Sequence, residues 1–235
     1  MNINQIFELS VVLDTDDFQR IFTNKADYME ELDNEYIDTS LAAKGITVMY
    51  RDSRYKKKVR LLINAGLVVE NVTDTDKLIR KLNKRIAEYF DHKYRLDDLT
   101  LSGVNLVLDI DVGSRINVSD YLKVLRRVGK VKGFSPVSYE CFDEKASFCL
   151  SGNSNAIDFL LYDLERAVVG QLRSADAERK NLQSACEGTK GVLRAEVRLT
   201  KPKAIRACTD AEDTTGQIME LAENARMCFL LLSPE

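Results

Sequence analysis

Apolar and polar residues alternate along several short stretches of the chain, the period of a strand with one buried face. GITVMY at 45–50 and KKVRLLIN at 57–64 read as a strand pair. The loop between them, RDSRYK, has Asp-Ser to turn on and Arg54, Tyr55 and Lys56 to expose. GVNLVLDIDVG at 103–113 alternates strictly: Val104, Leu106, Leu108, Ile110 and Val112 point one way, Asn105, Val107, Asp109 and Asp111 the other. SFCLS at 147–151 and AIDFLLYD at 156–163 form two more strands around the turn Gly152-Asn153-Ser154-Asn155. In GVLRAEVRL at 191–199, Arg194, Glu196 and Arg198 share a face.

Helical periodicity separates these strands. Over 74–90, Leu78, Leu82 and Ile86 recur every four residues, Tyr89 closes the stripe, and Asp74 or Thr75 caps the start. The opposite face carries Lys77, Arg80, Lys81, Lys84 and Arg85, a solvated face or a phosphate-contacting one. A short helix follows Ser119 as N-cap and stops at Gly129, a long polar helix spans roughly 163–185, and a last one spans 214–228. The Met219, Leu221 and Leu230–Leu232 cluster reads as core. The expected fold is α+β, an antiparallel-rich central sheet with helices packed mainly on one face.

Composition narrows the class. The chain has 235 residues, 45% hydrophobic and 30% charged, which excludes disorder and collagen. No apolar run approaches the ~18 residues of a membrane span, and the N-terminus lacks a signal-peptide pattern, so a cytoplasmic protein is expected. Three prolines, eleven glycines and no repeat leave no obvious linker. The composition shifts near residue 40, suggesting an acidic segment 1–40 packed on a main domain of 41–210, then a C-terminal helix and tail, 211–235.

Five cysteines without a close pair read as buried thiols rather than a zinc site. His92, the single histidine, sits in the charged run FDHKYRLDD, which argues against triad-type hydrolysis. Net charge is −3, weakly against a nucleic-acid binder, yet residues 51–60 hold six basic groups against one acid. The candidate DNA contacts are Arg51, Arg54, Tyr55, Lys56, Lys57 and Lys58 in that hairpin, and Lys77, Lys81 and Lys84 on the helix.

Asp109 and Asp111 project from one strand face about 7 Å apart, from the ~3.3 Å rise per residue. Like charges so close call for a cation, either a hard divalent ion with Glu196 as third ligand or the arginines Arg194 and Arg198.

These residues carry a resemblance. VNLVLDIDVGSRINVSDYLKVLRRVGKVKGF resembles the Asp-x-Asp strand and following helix of rolling-circle replication initiators of plasmids, phages and integrative elements. GNSNAIDFLLYDLE and GVLRAEVRLTKPKAI resemble two later strands of that family, and GITVMYRDSRYKKKVRLLIN its early hairpin, so the likeness covers about residues 45–206. It implies a protein that binds single-stranded or origin DNA and nicks and joins it through a tyrosine, with Mg²⁺ or Mn²⁺ polarising the phosphate. Under it Asp109, Asp111 and Glu196 are metal ligands and Tyr162 is the nucleophile, with Tyr139 and Tyr121 as alternatives. One departure stands out: the family's Tyr-Asp-Lys is Tyr162-Asp163-Leu164 here, leaving Arg166 to supply the cation. The other reading of the same residues is a catalytically inactive descendant. Such a protein would bind for a mobile element as a regulator or as an inhibitor of host defence such as an anti-CRISPR, its acidic opening contacting host proteins.

Overall fold

The computed structural model describes residues 5–14, 21, 29–32, 35–53, 56–70, 73–127, 131–138, 146–174 and 188–230. They divide into two compact units: a larger one of Gln5–Leu106 with Leu199–Met227, and a smaller one built on Val107–Arg198.

In chain order the elements begin with β1 (Gln5–Asp14), β2 (Met29–Leu32), β3 (Glu35–Asp38), β4 (Ile46–Ser53), β5 (Lys56–Asn64), α1 (Ala65–Val68) and α2 (Thr75–Tyr89). There follow β6 (Thr100–Asp111), α3 (Arg115–Leu125), β7 (Phe134–Pro136), β8 (Ser147–Gly152), β9 (Ile157–Asp163) and α4 (Leu164–Ser174). The series ends with β10 (Val192–Leu199), α5 (Pro202–Arg206) and α6 (Thr214–Leu230). Strand order is β2-β3-β4-β5-β1-β6 in the larger unit and β6-β10-β9-β8-β7 in the smaller. The hairpin pairs β2·β3, β3·β4, β4·β5, β7·β8 and β8·β9 are antiparallel, as is β1·β5. The fold is α+β and antiparallel-rich, as the alternating stretches imply. No described helix is long and apolar enough to cross a membrane.

Period-two alternation gives the larger sheet two unlike faces. Val48 and Tyr50 of β4, Val59, Leu61 and Ile63 of β5, and Leu9, Val11 and Leu13 of β1 are buried. Between them in register stand Arg51, Lys58, Arg60 and Leu62, exposed or half-buried. Helix α2 buries the expected stripe, Leu78, Leu82, Ile86 and Tyr89, and the Asp74 side chain caps it by accepting from the Lys77 N–H at 2.9 Å.

Its last turn joins the sheet through polar groups. Tyr89 donates to the Asp38 carboxylate at 2.6 Å, and the Tyr50 hydroxyl lies 2.6 Å from that of Tyr89. Tyr89 has one proton and gives it to the carboxylate, so Tyr50 is the donor to Tyr89. Asp38 is 1% exposed, and its other oxygen accepts from the Ser40 N–H at 2.8 Å. A carboxylate so deep is tolerable because donors surround it.

The structure departs from the sequence reading at several elements. Within the acidic opening, β1 is a strand of the larger unit's sheet and lies between β5 and β6. Val11, Val12 and Leu13 are buried in succession, so this inner strand lacks the alternation that marks its neighbours. Helix α3 starts at Arg115 rather than after Ser119, because Ser114 is the N-cap, accepting from the Asn117 N–H at 3.2 Å. On α6, Leu221 is buried as expected, but Met219 faces outward. The expected stop at Gly129, the second half of the 163–185 helix and residues 231–232 fall outside the described residues.

Truncating Leu82 to Ala should cost about 2–5 kcal/mol in denaturant unfolding, as for other fully buried leucines. Tyr89→Phe strips Asp38 of a donor and should cost about 1–3 kcal/mol. A Tyr89→Phe protein as stable as the parent would show that the carboxylate is held by other groups.

Candidate functional site

In the smaller unit the strands that carry the candidate carboxylates are neighbours in the order β6, β10, β9. Leu108 and Ile110 pack with Val118 and Leu122 of α3, Phe159 and Leu161 of β9, and Leu193 and Ala195 of β10. The intervening residues therefore share the opposite face: Asp109 on β6, Arg194, Glu196 and Arg198 on β10, and Tyr162 on β9. Tyr162 packs with Cys149, Leu160 and Leu164, and Ala167 and Val168 of α4 lie against this second cluster.

The polar side chains form one connected network. Arg194 grips Asp109 with both arms, Nε to Oδ1 at 2.6 Å and Nη2 to Oδ2 at 2.8 Å. Arg198 donates from Nε to Glu196 Oε1 at 2.6 Å, and the Tyr162 hydroxyl donates to Glu196 Oε2 at 2.9 Å. Arg194 also hydrogen-bonds Tyr162, so the phenol bridges the two ion pairs. Two carboxylates meet two guanidiniums, and the charges balance. Bidentate pairing is the strong geometry for such groups, and Glu196, only 2% exposed, has the Arg198 guanidinium as its hydrogen-bonded counter-charge.

Titration behaviour follows from the packing. Burial, then the Glu196 carboxylate, pushes the Tyr162 phenol above its ordinary range. Burial works against the Arg194 charge, but the hydrogen bonds and charge of Asp109 outweigh it, and the guanidinium is held above its usual value. Tyr162 is 5% exposed, so a phosphodiester reaches its oxygen only if the covering side chains move.

The three acidic residues named from sequence do not converge on a common point. Asp109 is chelated by Arg194, and the two oxygens of Glu196 face Arg198 and Tyr162. Asp111 is exposed at the end of β6, where Oδ1 accepts from the Gly113 N–H at 2.8 Å. Among the described residues no trio of His, Cys, Asp or Glu gathers to hold a metal ion. The donor set of this strand face fits arginines, which supply hydrogen bonds and charge together, better than a bare divalent ion. Gly191 fixes the adjoining turn: its φ is +73°, and a Cβ would stand 2.8 Å from the Ser114 nitrogen.

Other named residues are placed as follows. Arg166 reaches the buried Asp163 at 3.7 Å, and Asp158 accepts from Ser151 at 2.6 Å. Tyr121 is exposed on α3, while Tyr139 lies outside the described residues. In the hairpin, Arg51 stands opposite Lys58, and Lys58 pairs with Asp14 at 3.4 Å. Lys56 and Lys57 face Ser53 and Asp52 in register, whereas Arg54 and Tyr55 fall outside the described residues.

On α2, Lys77 is exposed, Lys84 is 3.9 Å from Glu88, and Lys81 donates to the Val68 carbonyl at 3.0 Å. Arg85 likewise donates to the Lys44 carbonyl. Part of that basic face thus ties the helix to neighbouring backbone. Sequence reasoning passes over the Arg115–Glu165 pair, which joins the start of α3 to the start of α4 across about fifty residues. No local pattern announces a pair so distant in the chain.

No family model matches the chain, and no curated protein does. Among solved structures it is similar to a rolling circle replication initiator protein from Geobacillus stearothermophilus, with 11% identity and a TM-score of 0.47, covering 98% of this chain and 84% of that one. No residue role rests on that likeness.

Arg194→Gln should destabilise on the order of 2 kcal/mol, less than the ~3–5 kcal/mol of a fully buried pair because the Asp109 side chain is 35% exposed. Adding Asp109→Asn should recover part of that loss, and strict additivity would remove the coupling. The raised tyrosines also set a pH limit. Tyr50, Tyr89 and Tyr162 stay protonated in the fold where the unfolded chain ionises, so stability should be full below about pH 10 and fall above it. Phenolate absorbance should therefore rise in step with unfolding. Early ionisation of all nine tyrosines in the folded protein would contradict the burial.

Proposed function

We propose that the chain is a single-stranded-DNA-binding protein of the replication-initiator type, and that the Asp109–Arg194–Tyr162–Glu196–Arg198 network serves as a structural clasp. The observation that carries the reading is the engagement of the would-be chemical groups. The phenol is buried and hydrogen-bonded, and Asp109 and Glu196 have guanidinium partners. A nucleophile needs exposure and a lowered or shared proton affinity, and that of Tyr162 is raised.

The exposed face of β4 and β5 supplies the binding chemistry. Arg51 and Lys58 stand opposite one another and Arg60 lies two residues along β5, all three on the side opposite the buried valines and leucines. Regularly spaced cations on an extended ribbon suit the regular phosphates of a single strand. Lys56 and Lys57 continue the same strand toward the hairpin tip.

A labelled oligonucleotide should bind with an affinity that falls steeply with salt. Changing Arg51 and Lys58 together to Gln should reduce the salt slope by about one for each phosphate no longer neutralised. No binding at low salt would overturn the proposal. Incubation with single-stranded DNA and Mn²⁺, resolved on a denaturing gel, tests the clasp: no covalent adduct is expected. An adduct lost in Tyr162→Phe would restore the nickase with that nucleophile, and one lost in Tyr121→Phe would place it on the exposed tyrosine of α3.

A further inference from the structure

The larger unit holds a cleft of about 450 Å³ on the exposed side of its sheet, bordered by β1, β5 and β6. That volume falls within the ~300–1,000 Å³ of small-molecule sites. Neither the clasp nor the row of cations on β4 and β5 accounts for it.

Ser102, Gly103 and Asn105 of β6 border the cleft, and Gly103 leaves its floor bare. A Cβ there would stand 3.4 Å from the Leu199 carbonyl and from Ser10 Cβ. Glycine within a strand often marks close approach by a ligand.

The lining is chemically mixed. Ser10 and Ser102 hydroxyls lie 3.0 Å apart, and Asn105 Nδ2 donates to Glu8 Oε2 at 2.9 Å, so hydroxyl, amide and carboxylate edges stand together. Arg60 supplies a cation, and among the described residues no hydrogen bond or ion pair engages it. Two large apolar side chains flank the opening, Leu62 at 40% and Leu67 at 59% exposure. The two leucines give the opening an apolar rim that the apolar face of a ligand can cover.

A ligand that matches all three features has an anionic group, flat apolar faces and polar edges. We infer that the cleft binds one nucleotide of single-stranded DNA, its phosphate on Arg60, its base between Leu62 and Leu67, and its polar edge toward Ser102, Asn105 and Glu8. Arg60 and Lys58 are two apart on β5 and share a face, so the strand's next phosphates run out along the basic row. The inference thus rests on the DNA-binding reading and gives it an anchor point.

The test uses the full chain and two probes: 2′-deoxyguanosine 5′-monophosphate followed by saturation-transfer NMR, and a fluorescein-labelled single-stranded oligonucleotide followed by anisotropy. Saturation transfer to the base protons is expected, and Gly103→Val, which fills the floor, should abolish it in a sample whose circular dichroism is unchanged. Arg60→Gln, at an exposed position, should weaken the oligonucleotide about tenfold and carries the test if Gly103→Val does not fold.

Transfer that persists in Gly103→Val, or an unchanged affinity in Arg60→Gln, overturns the inference. Oligonucleotide binding by the parent without nucleotide transfer sinks the cleft and leaves the DNA reading standing. Nucleotide transfer without oligonucleotide binding does the reverse. Inorganic phosphate displacing the nucleotide completely at equal concentration would reduce the cleft to an anion site and also overturn the assignment.

Discussion

A carboxylate cannot lie on the inner part of a sheet without a partner, and in the smaller unit that requirement is met by arginines on one strand. Arg194 and Arg198 come from β10, Asp109 from β6, and Tyr162 from β9, so each hydrogen bond of the network that crosses strands also fastens one strand to the next. Removing either arginine strands a charge near low-dielectric surroundings, which costs more than the pair itself is worth. The chemistry of the face follows from this. Asp109, Arg194, Tyr162, Glu196 and Arg198 hold one another, and burial and Glu196 raise the proton affinity of the phenol among them.

The larger unit solves a related problem with the opposite distribution. Its buried face concentrates the apolar residues of β1, β4 and β5 under α2 and, among the described residues, admits one buried charge, Asp38, surrounded by donors. On the other face lie Arg51, Lys58 and Arg60 and the cleft. On α2 the outward lysines and arginines look equally suited to phosphate from their spacing. Two of them instead cap carbonyls of nearby turns, because their long stems carry the charged heads as far as that backbone.

Much of the fold is legible in the sequence because burial on one face writes a period into the chain. The pairs β4·β5 and β8·β9, the length of α2 and the face shared by Arg194, Glu196 and Arg198 follow from that period. It fails where both faces are covered: β1, with Val11, Val12 and Leu13 buried in succession, reads from composition as part of an acidic N-terminal segment and is an inner strand. The start of α3 is misplaced for a different reason. Ser114 and Ser119 are equivalent caps in sequence, and the turn held against Gly191 selects the earlier one.

Residue types and their alternation by themselves determined that an antiparallel-rich α+β protein would form, that Asp109 would share a face with arginines or a metal, and that the β4–β5 hairpin would be basic. Tertiary structure alone decided that Arg194 is the arginine that reaches Asp109, because the pair depends on the distance between β6 and β10 side chains some eighty-five residues apart. It likewise decided that Tyr162 is covered, and that Ser10, Arg60, Ser102 and Asn105 border one cleft. Period and composition report how each segment meets water. Which segments then meet each other is set by strand order, and no local pattern encodes that.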